Sequence, residues 1–238
     1  MDLGLKGKRA LVCGASKGLG FACADALAAE GVDVVIVARG AEALSAAAER
    51  IRTAHGVRVE AVATDITTPE GRAEALHACE RLGGSPDILI NNAGGPPPGN
   101  FRDWDRDVWN AALNANMLTP IDLIKATVDK MIERGWGRII NISSVNGQKG
   151  QFGQTNYSTA KAGLHGFTMA LAQEVATKGV TVNTVSPGYI ATDMVKAIRQ
   201  DVLDKIIGTI PVKRLGEPTE IASICAWLAS EESGFSTG

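Results

Sequence analysis

The chain has 238 residues, of which 45% are hydrophobic, enough for one sizeable domain around a single core. Its 24 basic and 26 acidic residues leave a formal net charge of −2, which argues against nucleic acid or an anionic membrane as a partner. The expected partners are small molecules and further copies of the same chain.

Cysteine usage and the chain start predict a cytoplasmic protein. Four cysteines are present, without C-x-x-C spacing: Cys13, Cys23, Cys79 and Cys225. Three of them lie in apolar or helical-looking segments that suit reduced core thiols. The start of the chain lacks the apolar run of a signal peptide, and no stretch approaches the roughly 20 apolar residues of a membrane span. The three histidines lack metal-ligand spacing, so we predict no metal site: His55, His77 and His165.

Short apolar, β-branched runs alternate with segments of helical periodicity, such as Ala41 to Thr53. Six of these runs predict strands: Arg9 to Cys13, Asp33 to Ala38, Val57 to Ala63, Asp87 to Asn91, Arg138 to Ser143 and Val180 to Val185. Such alternation predicts a parallel sheet with helices on both faces. We therefore expect one doubly wound α/β domain of Rossmann type over residues 1–238.

A glycine-rich loop, Gly14-Ala15-Ser16-Lys17-Gly18-Leu19-Gly20, joins the first predicted strand to a helix. Free N–H groups at the positive end of a helix bind a pyrophosphate, and glycines let it approach closely. The spacing is G-x-x-x-G-x-G rather than G-x-G-x-x-G, so a plain strand-to-helix turn is the alternative. The predicted cofactor-binding residues here are Gly14, Ser16, Lys17, Gly18, Leu19 and Gly20.

The second predicted strand ends in Val37-Ala38-Arg39, without the Asp or Glu that would accept hydrogen bonds from the ribose hydroxyls of NAD. Arg39 is well placed for a 2′-phosphate, and Lys17 supplies a second cation. The sequence thus favours NADPH/NADP+ as cofactor. The alternative for Arg39 is a solvated surface arginine.

Two further strand ends carry candidate cofactor ligands. Asp65, followed by Ile66, is predicted either to accept a hydrogen bond from the adenine amino group or to cap the helix that begins near Thr67. After the fourth strand, Asn92, Ala93 and Gly94 leave room for the cofactor. Asn91, at the same place, is also consistent with a structural turn.

Tyr157 and Lys161 are four residues apart, so they share one face of a helix. Bringing a tyrosine pKa of about 10 to neutrality needs about 4 kcal/mol of differential stabilisation, which Lys161 and an oxidised nicotinamide would supply together. Tyr157 would then protonate a carbonyl oxygen that Ser144, at the end of the fifth strand, holds in place. A packed tyrosine beside a surface lysine is the alternative.

The chain resembles the short-chain dehydrogenases/reductases over essentially its whole length. The resemblance rests on motifs in the order of that family: Gly14 to Gly20, Asn91 to Gly94, Ser144, Tyr157, Lys161 and Pro187-Gly188. It implies an oxidoreductase, as a homotetramer or homodimer, with Asn116 as a fourth catalytic residue that holds a water in the proton relay. Asn114 competes for that role, and a buried structural asparagine is the other alternative.

The same resemblance places Lys161 on the nicotinamide ribose. It also implies a set of residues around the nicotinamide, with Thr192 near the carboxamide: Pro187, Gly188, Ile190 and Thr192. From about Arg134 onward, the chain resembles acetoacetyl-CoA reductases and 3-oxoacyl-ACP reductases. That resemblance implies reduction of a 3-oxoacyl thioester, with these substrate contacts: Ser144, Gln151, Phe152, Gln154, Tyr157 and Tyr189.

The first half looks like a different branch of the family, notably in Gly94-Gly95-Pro96-Pro97-Pro98. We therefore expect a composite chain with a seam between Thr127 and Arg138. Relatives in the family continue past the position of Gly238 into a last strand, so an edge of the sheet is expected to lack a partner. The competing functions are reduction of another ketone or oxidation of another alcohol, and cofactor binding without catalysis.

Overall fold

Six parallel strands form one sheet in the order β3-β2-β1-β4-β5-β6, as the alternation of strand and helix predicts. The computed structural model describes residues 2–238, apart from the side chain of Met194. The strands are β1 Arg9–Cys13, β2 Asp33–Ala38, β3 Val59–Ala63, β4 Ile88–Asn91, β5 Gly137–Ile142 and β6 Val180–Val185.

Helices connect the strands and cover both faces of the sheet. They are α1 Gly18–Ala29, α2 Ala41–His55, α3 Pro69–Arg81, α4 Arg106–Leu113, α5 Thr119–Arg134, α6 Asn146–Lys149, α7 Thr155–Val175, α8 Asp193–Lys196, α9 Gln200–Thr209 and α10 Pro218–Leu228. A π-helical turn, Asn114–Leu118, joins α4 to α5, and two 3₁₀ turns lie at Phe101–Asp103 and Ala176–Lys178. Within residues 2–238, no helix has the length and apolar character needed to cross a membrane.

The core has two layers because alternate residues of each strand face opposite sides of the sheet. On β1, Ala10 and Val12 pack into the layer that contains residues of α1, α2 and α10. Leu11 and Cys13 pack into the layer that contains residues of α3, α5 and α7. The central strands are therefore apolar on both faces, and their carboxyl ends lie along one rim of the sheet.

The edge strand β6 has partners at its outer side. The Val182 amide donates to Thr237 Oγ1 at 3.0 Å, and the Gly238 amide donates to Val182 O at 2.8 Å. Asn183 Nδ2 donates to Ser236 O at 2.8 Å. Among residues 2–238, β6 is the outermost strand on this side of the sheet, in line with the predicted loss of a last strand, and residues 237 and 238 supply backbone partners there only to Val182.

Candidate active site

The glycine loop makes a tight turn between β1 and α1. Gly14 and Gly18 have backbone φ values of +62° and +60°, which residues with a Cβ atom rarely adopt. A Cβ on Gly20 would lie 2.3 Å from the Gly14 carbonyl oxygen. Asn92 Nδ2 donates to the carbonyls of Cys13 and Gly14, both at 3.3 Å, and so fixes the loop to the end of β4.

Helix α1 begins at Gly18, and its N-cap residue, Lys17, makes no side-chain cap hydrogen bond within the described chain. The first-turn N–H groups therefore face the crevice as donors for an anionic ligand. Lys17 and Arg39 are exposed and belong to no ion pair among residues 2–238. Lys17 lies at this helix end, and Arg39 follows β2, the strand that pairs with β1.

Asp65 does not cap α3. Thr68 is the N-cap residue, and its Oγ1 accepts from the Gly71 amide at 3.0 Å. Asp65 Oδ1 instead accepts from the amide and the hydroxyl of Thr67, at 3.0 and 2.8 Å. These two bonds lower the pKa of Asp65, and nearby Arg39 adds a smaller lowering effect. The capping alternative is therefore wrong, whereas adenine binding by Asp65 stays a prediction.

Asn91 has a structural role inside the sheet. Its Nδ2 donates to Asn141 Oδ1 at 2.9 Å, and Asn141 Nδ2 donates to Thr168 Oγ1 of α7 at 3.0 Å. These two hydrogen bonds link β4, β5 and α7, whereas the buried Oδ1 of Asn91 has no partner among residues 2–238. A narrow cleft beside Asn91 reaches Lys161 and is lined in part by four other residues: Ile66, Asn92, Ala93 and Ala115.

Ser144, Tyr157 and Lys161 come together at the rim, as the sequence predicts. Ser144 follows β5, and its hydroxyl is close enough to the phenol of Tyr157, in the first turn of α7, to influence the pKa of that phenol. The Asn146 amide donates to Ser144 Oγ at 3.1 Å and orients it. Lys161 is 2% exposed, and its Nζ lies 5.6 Å from the centre of the Tyr157 ring.

Burial governs the protonation of the pair. It raises the pKa of Tyr157, against a smaller lowering effect of the nearby Ser144 hydroxyl. Burial lowers the pKa of Lys161 to about 7. In the cofactor-free protein, Tyr157 is therefore a neutral phenol and not the acidified group that the sequence analysis describes for the complete site.

Asn116 lies in the π-helical turn and is 1% exposed. Its Nδ2 donates to Ala112 O at 3.2 Å, and its Oδ1 has no partner among residues 2–238. Asn114 Nδ2 instead donates to Thr67 O at 3.3 Å, away from α7. π-helical turns are frequent at functional sites, so the turn agrees with the catalytic role predicted for Asn116, which stays a prediction.

The segment after β6 runs along the same rim. Pro187 O accepts from the Val145 amide at 3.0 Å, next to Ser144. Thr192 lies across the crevice from Gly18: a Cβ atom added to Gly18 would be 3.5 Å from the methyl group of Thr192. Gly188 and Ile190 lie between these two contacts in the chain. The structure therefore brings the predicted nicotinamide segment next to both Ser144 and the glycine loop.

The predicted substrate residues differ in placement. Gln154 lies inside the site, where its Oε1 accepts from Asn146 Nδ2 at 2.8 Å. Gln151 is exposed, Phe152 is fully exposed, and Tyr189 is half-buried. The proline-rich loop lies nearby: the Gly99 amide donates to Gly153 O at 2.9 Å. Of these four side chains, only that of Gln154 is hydrogen-bonded to the segment that follows Ser144.

His165 belongs to none of the predicted site motifs, but it lies next to Lys161, to whose backbone carbonyl it is linked through Ser143. His165 Nε2 lies 2.9 Å from Ser143 Oγ and 3.3 Å from Ser186 Oγ. Its spacing is the signal that identifies it, because Tyr157, Lys161 and His165 recur every four residues and share one face of α7.

Comparisons with known proteins agree with this arrangement. The short chain dehydrogenase family model matches residues 8–203. An acetoacetyl-CoA reductase of Allochromatium vinosum is 45% identical over 230 residues, 96% of this chain and 94% of the relative. An acetoacetyl-CoA reductase of Cupriavidus necator is 75% identical over 155 residues, 65% of this chain and 63% of that relative.

A solved structure of L-sorbose reductase from Gluconobacter frateurii, complexed with NADPH and L-sorbose, superposes with a TM-score of 0.94. It is 31% identical, and the match covers 100% of this chain and 95% of that one. The shared fold and the matching family model support a nicotinamide cofactor in the crevice above the strand ends. The chain therefore belongs to the short-chain dehydrogenase/reductase family and is an oxidoreductase that acts on CH–OH or C=O groups.

Proposed function

We propose that the protein reduces a 3-oxoacyl thioester, such as acetoacetyl-CoA, to the 3-hydroxyacyl thioester with NADPH. The observation that carries the proposal is the convergence of Ser144, Tyr157 and Lys161 at one rim of the sheet, with Lys161 Nζ 5.6 Å from the centre of the Tyr157 ring. A proton donor and an orienting hydroxyl that lie side by side can both reach the oxygen of a bound carbonyl group.

The residues present fit a dinucleotide phosphate. The left-handed glycines and the uncapped end of α1 match a pyrophosphate. Lys17 and Arg39, without a contacting carboxylate, match the added 2′-phosphate of NADPH. When bound, the cofactor supplies the hydride.

Tyr157 supplies the proton. Because burial raises its pKa, the phenol holds its proton at neutral pH and donates it as negative charge develops on the substrate oxygen. Lys161, with a pKa lowered to about 7, carries a proton in part of the molecules and releases it readily. It is therefore suited to reprotonate Tyr157, with Asn116 as the next member of the relay.

The substrate class rests on the relatives. Two relatives are named acetoacetyl-CoA reductase, one of them matching over 96% of this chain. Gln154, held by Asn146 beside Ser144, offers an amide to the thioester side of such a substrate. Phe152, fully exposed at the entrance, offers an apolar surface to the acyl or pantetheine chain.

A different ketone is the second candidate, because the structural relative with a TM-score of 0.94 is an L-sorbose reductase. The third is a protein that binds NADPH without turnover, since a displacement of about 1 Å of Tyr157 costs about 100-fold in rate. Relative turnover of acetoacetyl-CoA and L-sorbose separates the first two candidates, and cofactor binding without turnover identifies the third.

The test is an initial-rate assay of the purified protein with acetoacetyl-CoA, with NADPH and NADH followed separately. We expect NADPH-selective turnover that falls at least 1,000-fold in Tyr157→Phe, which keeps the ring and removes the proton donor. Fluorescence titration with NADPH checks that the variant still binds the cofactor. Turnover of L-sorbose with none of acetoacetyl-CoA would overturn the thioester assignment.

A further inference from the structure

His165 lies where three segments of the site meet. It belongs to α7, four residues after Lys161. Its Nε2 lies 2.9 Å from the hydroxyl of Ser143, after β5, and 3.3 Å from the hydroxyl of Ser186, after β6. The imidazole is half-buried in the angle between the helix and the two strand ends.

The direction of these hydrogen bonds follows from Ser143. Its Oγ lies 3.1 Å from the backbone carbonyl of Lys161, and a carbonyl only accepts, so the hydroxyl hydrogen is used there. The Ser143 oxygen then accepts from Nε2–H of His165. Burial, together with the nearby Lys161, lowers the pKa of His165, which agrees with a neutral ring that carries its hydrogen on Nε2.

Each of these contacts is next to a predicted site residue. Ser143 precedes Ser144, Ser186 precedes Pro187, and the carbonyl that Ser143 binds belongs to Lys161 itself. Backbone pairing of the two strand ends continues through this region, where the Ser143 amide donates to Val185 O at 2.8 Å. The imidazole therefore adds a side-chain link between this paired rim and α7.

We propose that His165 is a positioning residue of the reductase site, acting through Ser143 to hold the Lys161 turn of α7 against the strand ends that carry Ser144 and Pro187. This inference rests on the proposed function, because Lys161 and Ser144 matter through the reaction that they serve. His165 itself does not touch the reacting atoms.

Two substitutions separate hydrogen bonding from space filling. His165→Leu keeps a similar volume but removes the donor, whereas His165→Gln places an amide N–H near the position of Nε2. If His165 acts only by packing, both variants behave alike. If its donor positions Lys161, the Gln variant recovers what the Leu variant loses.

The experiment measures kcat and KM for acetoacetyl-CoA at saturating NADPH, the Kd for NADPH by fluorescence, and the melting temperature. We expect His165→Leu to lower kcat at least tenfold with KM changed less than threefold, and to weaken NADPH binding at least fivefold. His165→Gln should return both kcat and Kd to within about threefold of the wild type. His77→Leu, an exposed histidine of α3, is the matched control and should change neither quantity.

Equal behaviour of the Leu and Gln variants, whether both active or both impaired, overturns the proposal. If the wild type reduces no 3-oxoacyl thioester, the proposed function fails by itself. The NADPH titration then still decides on His165, because Lys161 and Pro187 are both predicted to contact the cofactor. Weaker binding in the Leu variant and recovery in the Gln variant would support the positioning role without any turnover.

Discussion

The Nζ of Lys161 donates a 2.7 Å hydrogen bond to the carbonyl oxygen of Ile142, the last residue of β5. The bond points the amine into the sheet end, where no carboxylate contacts it among residues 2–238. Burial therefore disfavours the charged form of the amine and lowers the pKa of Lys161 to about 7. In the folded protein, the protonation state of Lys161 therefore changes near neutral pH.

Lys161 should make stability rise with pH. An unfolded lysine binds its proton up to a pH of about 10.4, whereas the folded group releases it near 7. Between these two pH values the unfolded chain binds more protons than the folded protein. The destabilising contribution of Lys161 to the free energy of unfolding is therefore complete below pH 7 and disappears as the pH rises to about 10. We expect the melting temperature of the cofactor-free wild type to rise by several degrees relative to Lys161→Met between pH 7 and 10.

The comparison with Lys161→Met removes the contribution of buried groups that both proteins share. Burial raises the pKa of Cys13 and of Cys79 to about 12, which lowers stability in both proteins as pH rises through the range of an unfolded thiol. A difference in melting temperature that stays constant from pH 6 to 10 would contradict the lowered pKa of Lys161.

Gly20→Ala should disrupt the glycine loop. The added Cβ would lie 2.3 Å from the Gly14 carbonyl oxygen and 2.9 Å from that of Cys13, and backbone atoms do not move aside cheaply. We expect a loss of about 2 kcal/mol or more in unfolding free energy, measured in urea, and at least tenfold weaker NADPH binding.

Gly166→Ala is the matched control for this substitution. Gly166 lies in α7, is exposed, and a Cβ there would meet nothing within 4 Å. In a helix interior, alanine is favoured over glycine by about 1 kcal/mol, so this variant should be equally or more stable. Equal stability and equal NADPH affinity of the two variants would show that the glycine loop tolerates a side chain at position 20.

Gly95 should control the position of the Tyr157 ring. A Cβ at Gly95 would lie 3.3 Å from Cε2 and 3.5 Å from Cζ of Tyr157, so the ring must shift by a few tenths of an ångström. The hydrogen bond from the Gly99 amide to Gly153 O holds the far end of the loop and limits how far the loop can move away from Tyr157. We expect Gly95→Ala to lower kcat about tenfold with the Kd for NADPH unchanged. Wild-type kcat in this variant would mean that the loop moves freely.

Much of the fold could be predicted from the sequence because buried parallel strands have a strong local signal. The bounds of β1, β2 and β6 match the predicted runs. The other three differ by one or two residues, at one end in β3 and β4 and at both ends in β5. The glycine loop and the order of Ser144, Tyr157 and Lys161 are local motifs as well. The predicted seam between Thr127 and Arg138 falls across the end of α5 and the start of β5 and stays a prediction.

The rest depends on tertiary contacts that no short segment encodes. The π-helical turn around Asn116 and the link from His165 to two strand ends form only when α7 packs against the sheet. Thr68, and not Asp65, caps α3, and the Asp65 carboxylate accepts from the amide and hydroxyl of Thr67 instead. The sequence allowed Asp65 as the capping residue, and only the three-dimensional arrangement of the turn excludes it.

Arg39→Glu should reverse the cofactor preference. Arg39 is exposed after β2 and has no ion-pair partner among residues 2–238, so a new carboxylate there would repel a 2′-phosphate and accept from ribose hydroxyls. A charged hydrogen bond contributes about 1.5–3 kcal/mol, which predicts a fall of roughly 10- to 150-fold in kcat/KM for NADPH and a smaller gain for NADH. Lys178→Glu, an equal charge reversal before β6 and therefore at the opposite rim, is the control and should alter neither value. If Arg39→Glu and Lys178→Glu weaken NADPH use equally, long-range charge explains the preference and Arg39 does not contact the cofactor.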